Sequence, residues 1–264
     1  MTLSAEAQTQ RRLWGADPEG WALFSEPHTR PLFEAVLDAS GVDAATELLD
    51  IGCGTGLLLQ LAAARGATVH GIDVTPGLAA IAQSRLPGAD IVVDDLQVLQ
   101  FADAAFDVVT AVNSFQFAAD PVAAIAEAAR VLRPGGRLGI GMFAEPERAE
   151  STAIHLAMTK LSPPHREGDH LPYALSAPGN LESAIAAAGL ELAGGGEVVC
   201  VWAYDSAADA IRGLVGSAGG TRAVEDVGAE AVKAAVAEAL VQFTDPGGQI
   251  AMRNVFRWVL ATKA

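Results

Sequence analysis

One stretch of ten residues decides the fold: Leu48-Leu49-Asp50-Ile51-Gly52-Cys53-Gly54-Thr55-Gly56-Leu57. An apolar strand ends at Asp50, and a helix is predicted from about Thr55 to Arg65, where Gly66 marks its end. Three glycines at alternate positions remove side chains from the turn, so a ligand can approach the backbone closely. The first turn of the helix adds unpaired N–H groups and the positive end of its dipole. The stretch therefore predicts a site for a polar ligand.

Composition and charge limit the kinds of partner. The chain has 264 residues, of which 51% are apolar, and this predicts one sizeable domain with a real core. A net charge of −15 argues against nucleic acid and against an anionic membrane surface, since both favour a basic face. Cys53 and Cys200 lack the spacing of a zinc site, so no metal site is predicted. No signal peptide and no apolar run of about 18 residues is found, so we expect a cytoplasmic protein.

Strands and helices alternate regularly in the first half of the chain. Five strands are predicted, at Glu47–Ile51, Thr68–Asp73, Ile91–Val93, Asp107–Val112 and Arg137–Phe143. The segments between them have helical patterns of about 10–15 residues, which is typical of βαβ units. Right-handed crossovers then place helices on both faces of a parallel sheet. The first half therefore predicts a doubly wound α/β fold.

The second half is less regular. Residues 145–180 read as a long irregular run up to a helix at about Leu181–Ala188, and such a run indicates a functional loop or insertion. A sixth strand is predicted at Glu197–Tyr204, helices at 206–216 and 229–243, and a terminal strand at Asn254–Thr262. We interpret 1–264 as one domain, with 145–180 and 205–250 as insertions on the substrate side.

The N-terminal segment, residues 1–40, reads as a broken helical arm. Pro27 and Pro31 divide it, and its anchors include Trp14 and Trp21. Two interpretations are open. The aromatic side chains either pack the arm onto the body of the domain, or the arm forms a lid over the glycine turn.

Polar residues end four predicted strands in succession: Asp50, Asp73, the pair Asp94-Asp95, and Asn113. Ligands of open α/β sheets bind at the carboxyl ends of the strands, near the point where the strand order reverses. The four strand ends therefore predict one shared site. Asp73 can accept hydrogen bonds from a ribose diol, although it could instead cap the helix that begins at Thr75-Pro76. Asp95 can accept from an adenine amine, although Asp94-Asp95 could instead form an ordinary turn.

The glycine spacing bears on the ligand. A dinucleotide site usually shows GxGxxG around a pyrophosphate, whereas this chain has GxGxG preceded by Asp50. A carboxylate is a poor neighbour for a diphosphate and a good one for an amino group. A ligand with adenosine at one end and an ammonium and a sulfonium at the other, S-adenosylmethionine, fits these charges. An NAD-dependent oxidoreductase is the less supported alternative, because no Tyr-x-x-x-Lys constellation is recognisable.

The motifs together resemble a known family. The resemblance rests on residues 48–56, Asp73, Asp95, residues 106–109 (Phe-Asp-Val-Val) and residues 130–136 (Arg-Val-Leu-Arg-Pro-Gly-Gly). This set is similar to class I S-adenosylmethionine-dependent methyltransferases of the small-molecule branch, which includes ubiquinone and menaquinone biosynthesis enzymes. The resemblance implies a Rossmann-like seven-stranded sheet of order 3-2-1-4-5-7-6, with the last strand antiparallel, helices on both faces and a helical lid.

The resemblance also implies roles for nine residues in cofactor binding. The methionine part lies against Asp50, Gly52, Cys53 and Gly54, the ribose against Asp73, and the adenine against Val74, Asp95 and Leu96, while Asn113 faces the cofactor or the substrate pocket. The chain departs from the family at Asp94, where glycine is usual. Which of Asp94 and Asp95 meets the adenine therefore stays open.

Methyl transfer needs a general base only if the acceptor carries a proton at working pH. His28 and His170 are the candidate catalytic residues, because they lie in the two segments that often close the pocket in this family. Solvent-exposed or capping roles are the alternative for each, and His70 is expected in the core. We expect a methyltransferase acting on O, N or C of a small apolar or neutral metabolite. A cofactor-binding protein of the same fold without methyl transfer is the other alternative, and the oligomeric state is not predicted.

Overall fold

The computed structural model describes residues 3–162 and 174–264. This part of the chain forms a seven-stranded sheet. Its strands are β1 Glu47–Ile51, β2 Thr68–Asp73, β3 Asp90–Val93, β4 Phe106–Val112, β5 Leu132–Phe143, β6 Glu191–Tyr204 and β7 Ile250–Thr262. Their order is β3-β2-β1-β4-β5-β7-β6. The first five strands in that order run parallel, and β7 is antiparallel to both β5 and β6. The predicted strand order and the antiparallel last strand are confirmed.

Helices cover both faces of the sheet. Those described are α1 Ala5–Trp14, α2 Pro18–Phe24, α3 Arg30–Ala39, α4 Leu57–Ala63, α5 Pro76–Arg85, α6 Pro121–Val131, α7 Thr152–Thr159, α8 Asn180–Ala187, α9 Ala207–Val215, α10 Ala218–Val227 and α11 Ala229–Leu240. Side chains alternate across each strand, so Leu48 and Val108 pack with α3 and α4, whereas Leu49 and Val109 pack with α6 and α8. The prediction of helices on both faces is confirmed.

Two predictions for the second half were incomplete. The run 145–180 was expected to be irregular, but it contains α7, an eight-residue helix that lies between Pro146 and Pro163 and buries Ile154 and Met158. Its tertiary packing compensates for a length at which an isolated helix is marginal. A third helix, α10, also lies between the two predicted for 206–243. Two glycines in its first turn hide it from a propensity argument, while Ser217 caps it by accepting from the Gly220 N–H.

Three strands also begin several residues earlier than predicted, and β7 begins at Ile250 rather than Asn254. β5 begins at Leu132 rather than Arg137, with a shift of register between Phe106–Leu132 and Val108–Arg137. Residues 133–136, which precede the predicted start of this strand, therefore form an irregularity within strand pairing. β6 begins at Glu191, because three glycines at 194–196 continue to pair with β7 although glycine is unfavourable in strands.

A second, smaller core lies outside the sheet. Helices α7, α9, α10 and α11 pack together around apolar side chains that include Ile154, Leu214, Val232 and Val236. The N-terminal helices join this helical group, because α1 packs on α10 and α2 on α9. Segments that are far apart in sequence thus come together at one end of the sheet.

That end is where the strand order reverses. β1 lies between β2 and β4, and the chain passes from β1 outward to β3 before it returns to β4 on the other side. The carboxyl ends of β1 and β4 therefore border a crevice of the kind that binds ligands in doubly wound folds. The register pairs Asp50 with Thr110 across it. None of the described helices combines the length and apolar character that a bilayer span requires.

Candidate cofactor-binding site

A cavity lies at the carboxyl ends of the parallel strands, between the sheet and the N-terminal arm. It encloses about 1020 Å³, its open mouth included. The structure brings all nine predicted cofactor-binding residues to its lining: Asp50, Gly52, Cys53, Gly54, Asp73, Val74, Asp95, Leu96 and Asn113. The predicted strand ends therefore converge on one place. Residues of the arm complete the wall, among them Trp14, Trp21 and Glu26.

The glycine turn brings its backbone close to neighbouring elements. The N–H groups of Gly52 and Cys53 donate to the Ile72 carbonyl over 2.8 and 3.0 Å, which ties the turn to β2. Gly52 has φ +76°, and a Cβ there would lie 2.5 Å from the Ser114 Cβ. A Cβ on Gly54 would meet nothing nearer than the Trp21 Nε1 at 3.6 Å. Gly52 therefore serves packing and backbone conformation, whereas Gly54 leaves space open to the cavity.

Asp50 is a buried carboxylate at the end of β1, with 3% of its surface exposed. Its Oδ1 accepts a hydrogen bond from the Thr110 hydroxyl over 2.7 Å. Burial raises the pKa of Asp50 to about 7, the Thr110 hydrogen bond opposes that rise, and the negative charges of Asp73 and Glu26 add to it. A cation placed beside this group would be strongly attracted to its ionised form.

Asp73 ends β2 and spans the turn. Its Oδ2 accepts from the Gly54 N–H over 2.9 Å, and its Oδ1 accepts from the Thr75 N–H over 2.8 Å. Burial raises the pKa of Asp73, and these hydrogen bonds oppose the rise. The second contact lies at the start of α5, where the Thr75 side chain makes no capping bond. Asp73 therefore contacts the start of α5 as the capping interpretation expects. Each oxygen also retains a lone pair for a ligand, and that role stays a prediction.

Glu26 is a site residue that the sequence reasoning missed. It lies in a short 3-10 turn, Glu26–Thr29, with 3% of its surface exposed. One oxygen accepts from the Leu57 N–H, the first of α4, over 3.1 Å, and the other pairs with Arg85 Nη1 over 2.5 Å. The sequence offers only a weak signal, an acid five residues after Trp21 in an arm otherwise anchored by apolar side chains.

Asp94 and Asp95 both line the cavity, but they make different contacts. Asp94 Oδ1 accepts from the Asp95 N–H over 2.8 Å. Asp95 Oδ1 accepts from the Gln97 N–H over 3.0 Å, and its Oδ2 accepts from the Ser4 hydroxyl over 2.7 Å. Asp94 thus shapes the turn locally, while Asp95 reaches the N-terminal arm.

Three aromatic rings form one wall. Trp14 packs edge-on against Trp21 with 4.9 Å between centroids, and against Phe117 with 5.5 Å. These rings come from α1, α2 and the turn after β4, and all three line the cavity. The arm aromatics therefore pack the arm onto the body of the domain beside the glycine turn, and a role as a lid stays a prediction.

The end of β4 adds strained and unsatisfied groups. Asn113 has φ +53°, a conformation that is uncommon for a residue with a side chain, and its N–H donates to the Gly141 carbonyl over 2.8 Å. The Ser114 hydroxyl next to it is buried and finds no hydrogen-bond partner among the described residues. Both residues line the cavity. A buried hydroxyl of this kind is suited to a ligand polar group.

The histidines lie elsewhere in the described structure. His28 Nε2 is 2.8 Å from the Ala203 carbonyl oxygen, its ring packs against Tyr204, and burial lowers its pKa. It is not part of the cavity lining. His155 on α7 is half-buried, and the loss of solvent around its ring lowers its pKa to about 4. His70 Nε2 is 3.2 Å from Glu47 on the neighbouring strand. His170, the second catalytic candidate, lies outside the described residues, as does His165.

The electrostatic character of the cavity is one-sided. Six carboxylates occur in the described part of its lining, from Glu6, Glu26, Asp50, Asp73, Asp94 and Asp95, and no lysine, arginine or histidine occurs there. Arg85, in the last turn of α5, pairs with Glu26 but does not belong to the cavity lining. Such a lining favours a ligand with positive charge over a diphosphate.

Comparison with known proteins agrees with this geometry. Residues 49–140 match the family described as "Methyltransferase domain". This part of the chain is therefore similar to methyltransferase domains. Demethylmenaquinone methyltransferase of Renibacterium salmoninarum is 33% identical to it over 124 residues, which cover 47% of this chain and 52% of the relative. The chain spans about half the length of the curated relatives that it matches.

Solved structures share the fold over most of the chain. Geranyl diphosphate C-methyltransferase of Streptomyces coelicolor, solved with S-adenosylhomocysteine, is 15% identical with a TM-score of 0.57, and 100% of both chains is covered. The [4+2]-cyclase SpnF is 24% identical with a TM-score of 0.56, over 88% of this chain and 80% of the cyclase. At these identities the likeness concerns the fold alone, and one fold serves different reactions.

Proposed function

We propose that this protein is an S-adenosylmethionine-dependent methyltransferase that transfers the methyl group to O, N or C of a small apolar or neutral metabolite. The observation that carries the proposal is the convergence of the glycine turn, three buried carboxylates and the paired acids after β3 on one cavity without a basic side chain in its described lining. A cofactor that bears ammonium and sulfonium groups beside adenosine matches that distribution of charge.

The chain's own residues suit each part of this cofactor. Asp50 and the open backbone at Gly54 would hold the methionine part, and Asp73 would accept from the ribose hydroxyls. Val74 and Leu96 are partly buried and would lie against the adenine faces, with Asp95 at its amine edge. The unsatisfied Ser114 hydroxyl offers a further hydrogen bond.

The sulfonium supplies an already activated methyl group, so the protein has to position the acceptor and exclude water. Trp14, Trp21 and Phe117 provide an apolar wall for both tasks. The absence of cationic side chains from the described lining favours a neutral acceptor over a phosphate or a carboxylate. We therefore propose a small-molecule acceptor rather than a nucleic acid.

The position of His28 does not support a role as general base in this cavity, since its ring lies against β6. The proposal therefore does not depend on a histidine. An acceptor whose reacting atom carries no proton at neutral pH needs no base. Where a base is required, a carboxylate of the cavity lining is a better candidate than a histidine, because no histidine belongs to the described lining.

Isothermal titration with S-adenosylmethionine and S-adenosylhomocysteine tests the proposal. Asp73→Asn should weaken both about tenfold or more, because it replaces a charged acceptor. The control is Asp38→Asn, which changes an acid on α3 that pairs with Arg65 away from the cavity. Failure of the unaltered protein to bind either ligand at about 1 mM would rule the proposal out.

The two alternatives give different results in the same assay. An NAD-dependent oxidoreductase should bind NAD more tightly than S-adenosylhomocysteine. Glu26 argues against it, because its carboxylate already accepts from the Leu57 N–H at the turn. A protein that binds the cofactor without using its methyl group would bind S-adenosylmethionine and S-adenosylhomocysteine as a methyltransferase does. It would give no methylated product when candidate acceptors are screened by mass spectrometry.

A further inference from the structure

We propose that Glu26 is a positioning residue that holds the N-terminal arm against the glycine turn and α5, a contact we call the latch. Docking of the arm then controls the rate at which the cofactor dissociates. The cofactor part of this proposal rests on the proposed function above. The latch itself rests on contacts within the chain, and it can be tested without any ligand.

The contacts of Glu26 join three separate segments. Its carboxylate lies in the arm, accepts from the Leu57 N–H just after the glycine turn, and pairs with Arg85 in the last turn of α5. The same Arg85 nitrogen donates to the Thr55 carbonyl over 2.8 Å and approaches the Thr55 hydroxyl at 3.2 Å. One ion pair therefore fastens the arm, the turn and α5 together.

Burial distinguishes this pair from the other charged contacts of the arm. The Glu26 side chain is 3% exposed, and that of Arg85 is 24% exposed. The arm also pairs with the helical group through Arg12–Glu225 and Asp17–Arg212, but these side chains are 31–50% exposed. Exposed pairs contribute little, whereas removing one partner of a buried pair leaves a charge without compensation. Glu26 is therefore the charged contact on which arm docking depends most.

The location of the latch links it to the cavity. Glu26 lines the cavity and is close enough for its charge to raise the pKa of Asp50. The arm covers the cavity from Ser4, which donates to Asp95, through Trp14 and Trp21 to Glu26. The two ends of the covering arm are thus tied to the two ends of the predicted cofactor site. A cofactor held beneath it leaves only after the arm lifts, and lifting breaks the Glu26–Arg85 pair.

The first test uses the free protein and hydrogen exchange of the arm. Glu26→Gln keeps an oxygen that accepts from the Leu57 N–H but removes the charge that pairs with Arg85. Backbone exchange over residues 18–39 should rise about tenfold, with β1 and β4 unchanged. The matched control is Arg12→Gln, which breaks the exposed pair with Glu225 and should change exchange by less than about twofold. Unchanged exchange in Glu26→Gln overturns the latch.

The second test measures dissociation by stopped-flow fluorescence, because Trp14 and Trp21 line the cavity. Glu26→Gln should release S-adenosylhomocysteine about tenfold faster. It should equally speed release of 5′-methylthioadenosine, which lacks the ammonium and carboxylate groups. Faster release of S-adenosylhomocysteine alone would mean that Glu26 touches the amino acid end directly, and that result overturns the latch.

A second pair of variants covers the case in which Glu26→Gln does not fold. Arg85→Gln removes the other half of the pair and should reproduce faster arm exchange and faster release, while Arg85→Lys should restore part of both. A purely structural role would lower the melting temperature of all these variants without changing release rates, and that outcome also overturns the proposal. If the unaltered protein binds no adenosyl ligand, the proposed function fails, while the exchange test still decides the latch.

Discussion

The Thr110 hydroxyl donates a hydrogen bond to the Asp50 carboxylate, with 2.7 Å between Oγ1 and Oδ1, inside a sheet where both residues are buried. The contact follows from parallel register, since β1 and β4 place the two residues side by side. It holds an ionisable group at the wall of the cavity with a pKa of about 7. The chemistry of the cofactor site is therefore coupled to pH.

Cofactor affinity should rise with pH between 5 and 7. In the free protein burial keeps much of Asp50 protonated in this range, and a cation bound beside it favours the ionised form. Binding then releases a proton, so affinity should rise by up to about tenfold per pH unit and level off above pH 7. Titration calorimetry in two buffers of different ionisation enthalpy measures the release. Asp50→Asn should abolish this dependence, and an equally steep dependence in that variant would contradict the assignment to Asp50.

The stability of the free protein should show the opposite trend. The folded pKa of Asp50 is raised above its ordinary value of 3.8, so between about pH 4 and 7 the folded state binds more protons than the unfolded state. The free energy of unfolding therefore falls as pH rises through that window, and it changes no further on account of Asp50 above pH 7. Asp50→Asn should be more stable than the unaltered protein at pH 8, by up to roughly 4 kcal/mol, and should lose that advantage near pH 4. Urea unfolding at each pH measures this, with Asp38→Asn as the exposed control.

Replacing Gly52 by alanine should lower the free energy of unfolding by more than its left-handed backbone conformation alone explains. Gly135 provides a matched control, because it also has φ +76° but has no atom within 4 Å of the added Cβ. Gly135→Ala should destabilise by about 1 kcal/mol, the cost of the backbone conformation. Gly52→Ala adds the close approach to the Ser114 Cβ and should cost about 3 kcal/mol. Chemical denaturation compares the two, and equal costs would show that Ser114 yields freely.

Asp95 and Asp94 should respond differently to neutralisation. If Asp95 meets the adenine amine, Asp95→Asn should weaken S-adenosylhomocysteine about tenfold. Asp94→Asn should change the affinity by less than about threefold, because Asp94 accepts from its neighbour's backbone. Inosine-containing analogues, which lack the exocyclic amine, should bind both variants similarly. A larger loss from Asp94→Asn would assign the adenine contact to Asp94 instead.

Much of the sheet and of the predicted cofactor site follows from local pattern. Apolar runs of four to seven residues with a polar residue at their ends predicted four of the five strands in the first half to within one residue, and also placed Asp50, Asp73, Asp95 and Asn113 at the cavity. The prediction of the site succeeds because the carboxyl ends of parallel strands lie at the same edge of a sheet. The last residues of neighbouring strands therefore come together there. The glycine turn could also be placed from local pattern, because it lies between a strand and a helix that the pattern predicts.

Other features depended on contacts between distant residues. The helices α7 and α10 are too short or too rich in glycine to be predicted locally, and they form because a second core buries one face of each. The glycine-rich start of β6 is a strand because β7 pairs with it. In the same way, the packing of the arm onto the domain was decided only by its contacts with Asp95 and Phe117.

For this protein, the sequence by itself determined the first strands, the glycine turn and the acids at the strand ends, because these are set by residues a few positions apart. The order of the strands in the sheet was implied by the resemblance to a known family. Only the tertiary structure decided that Glu26 joins the site, that His28 lies against β6, and that Asp50 has a raised pKa. Burial and charge proximity act between residues that are far apart in the chain, by 175 positions in the contact of His28 with Ala203. No local pattern records which side chains will share one enclosed space, and that enclosure is what controls the charge of the site.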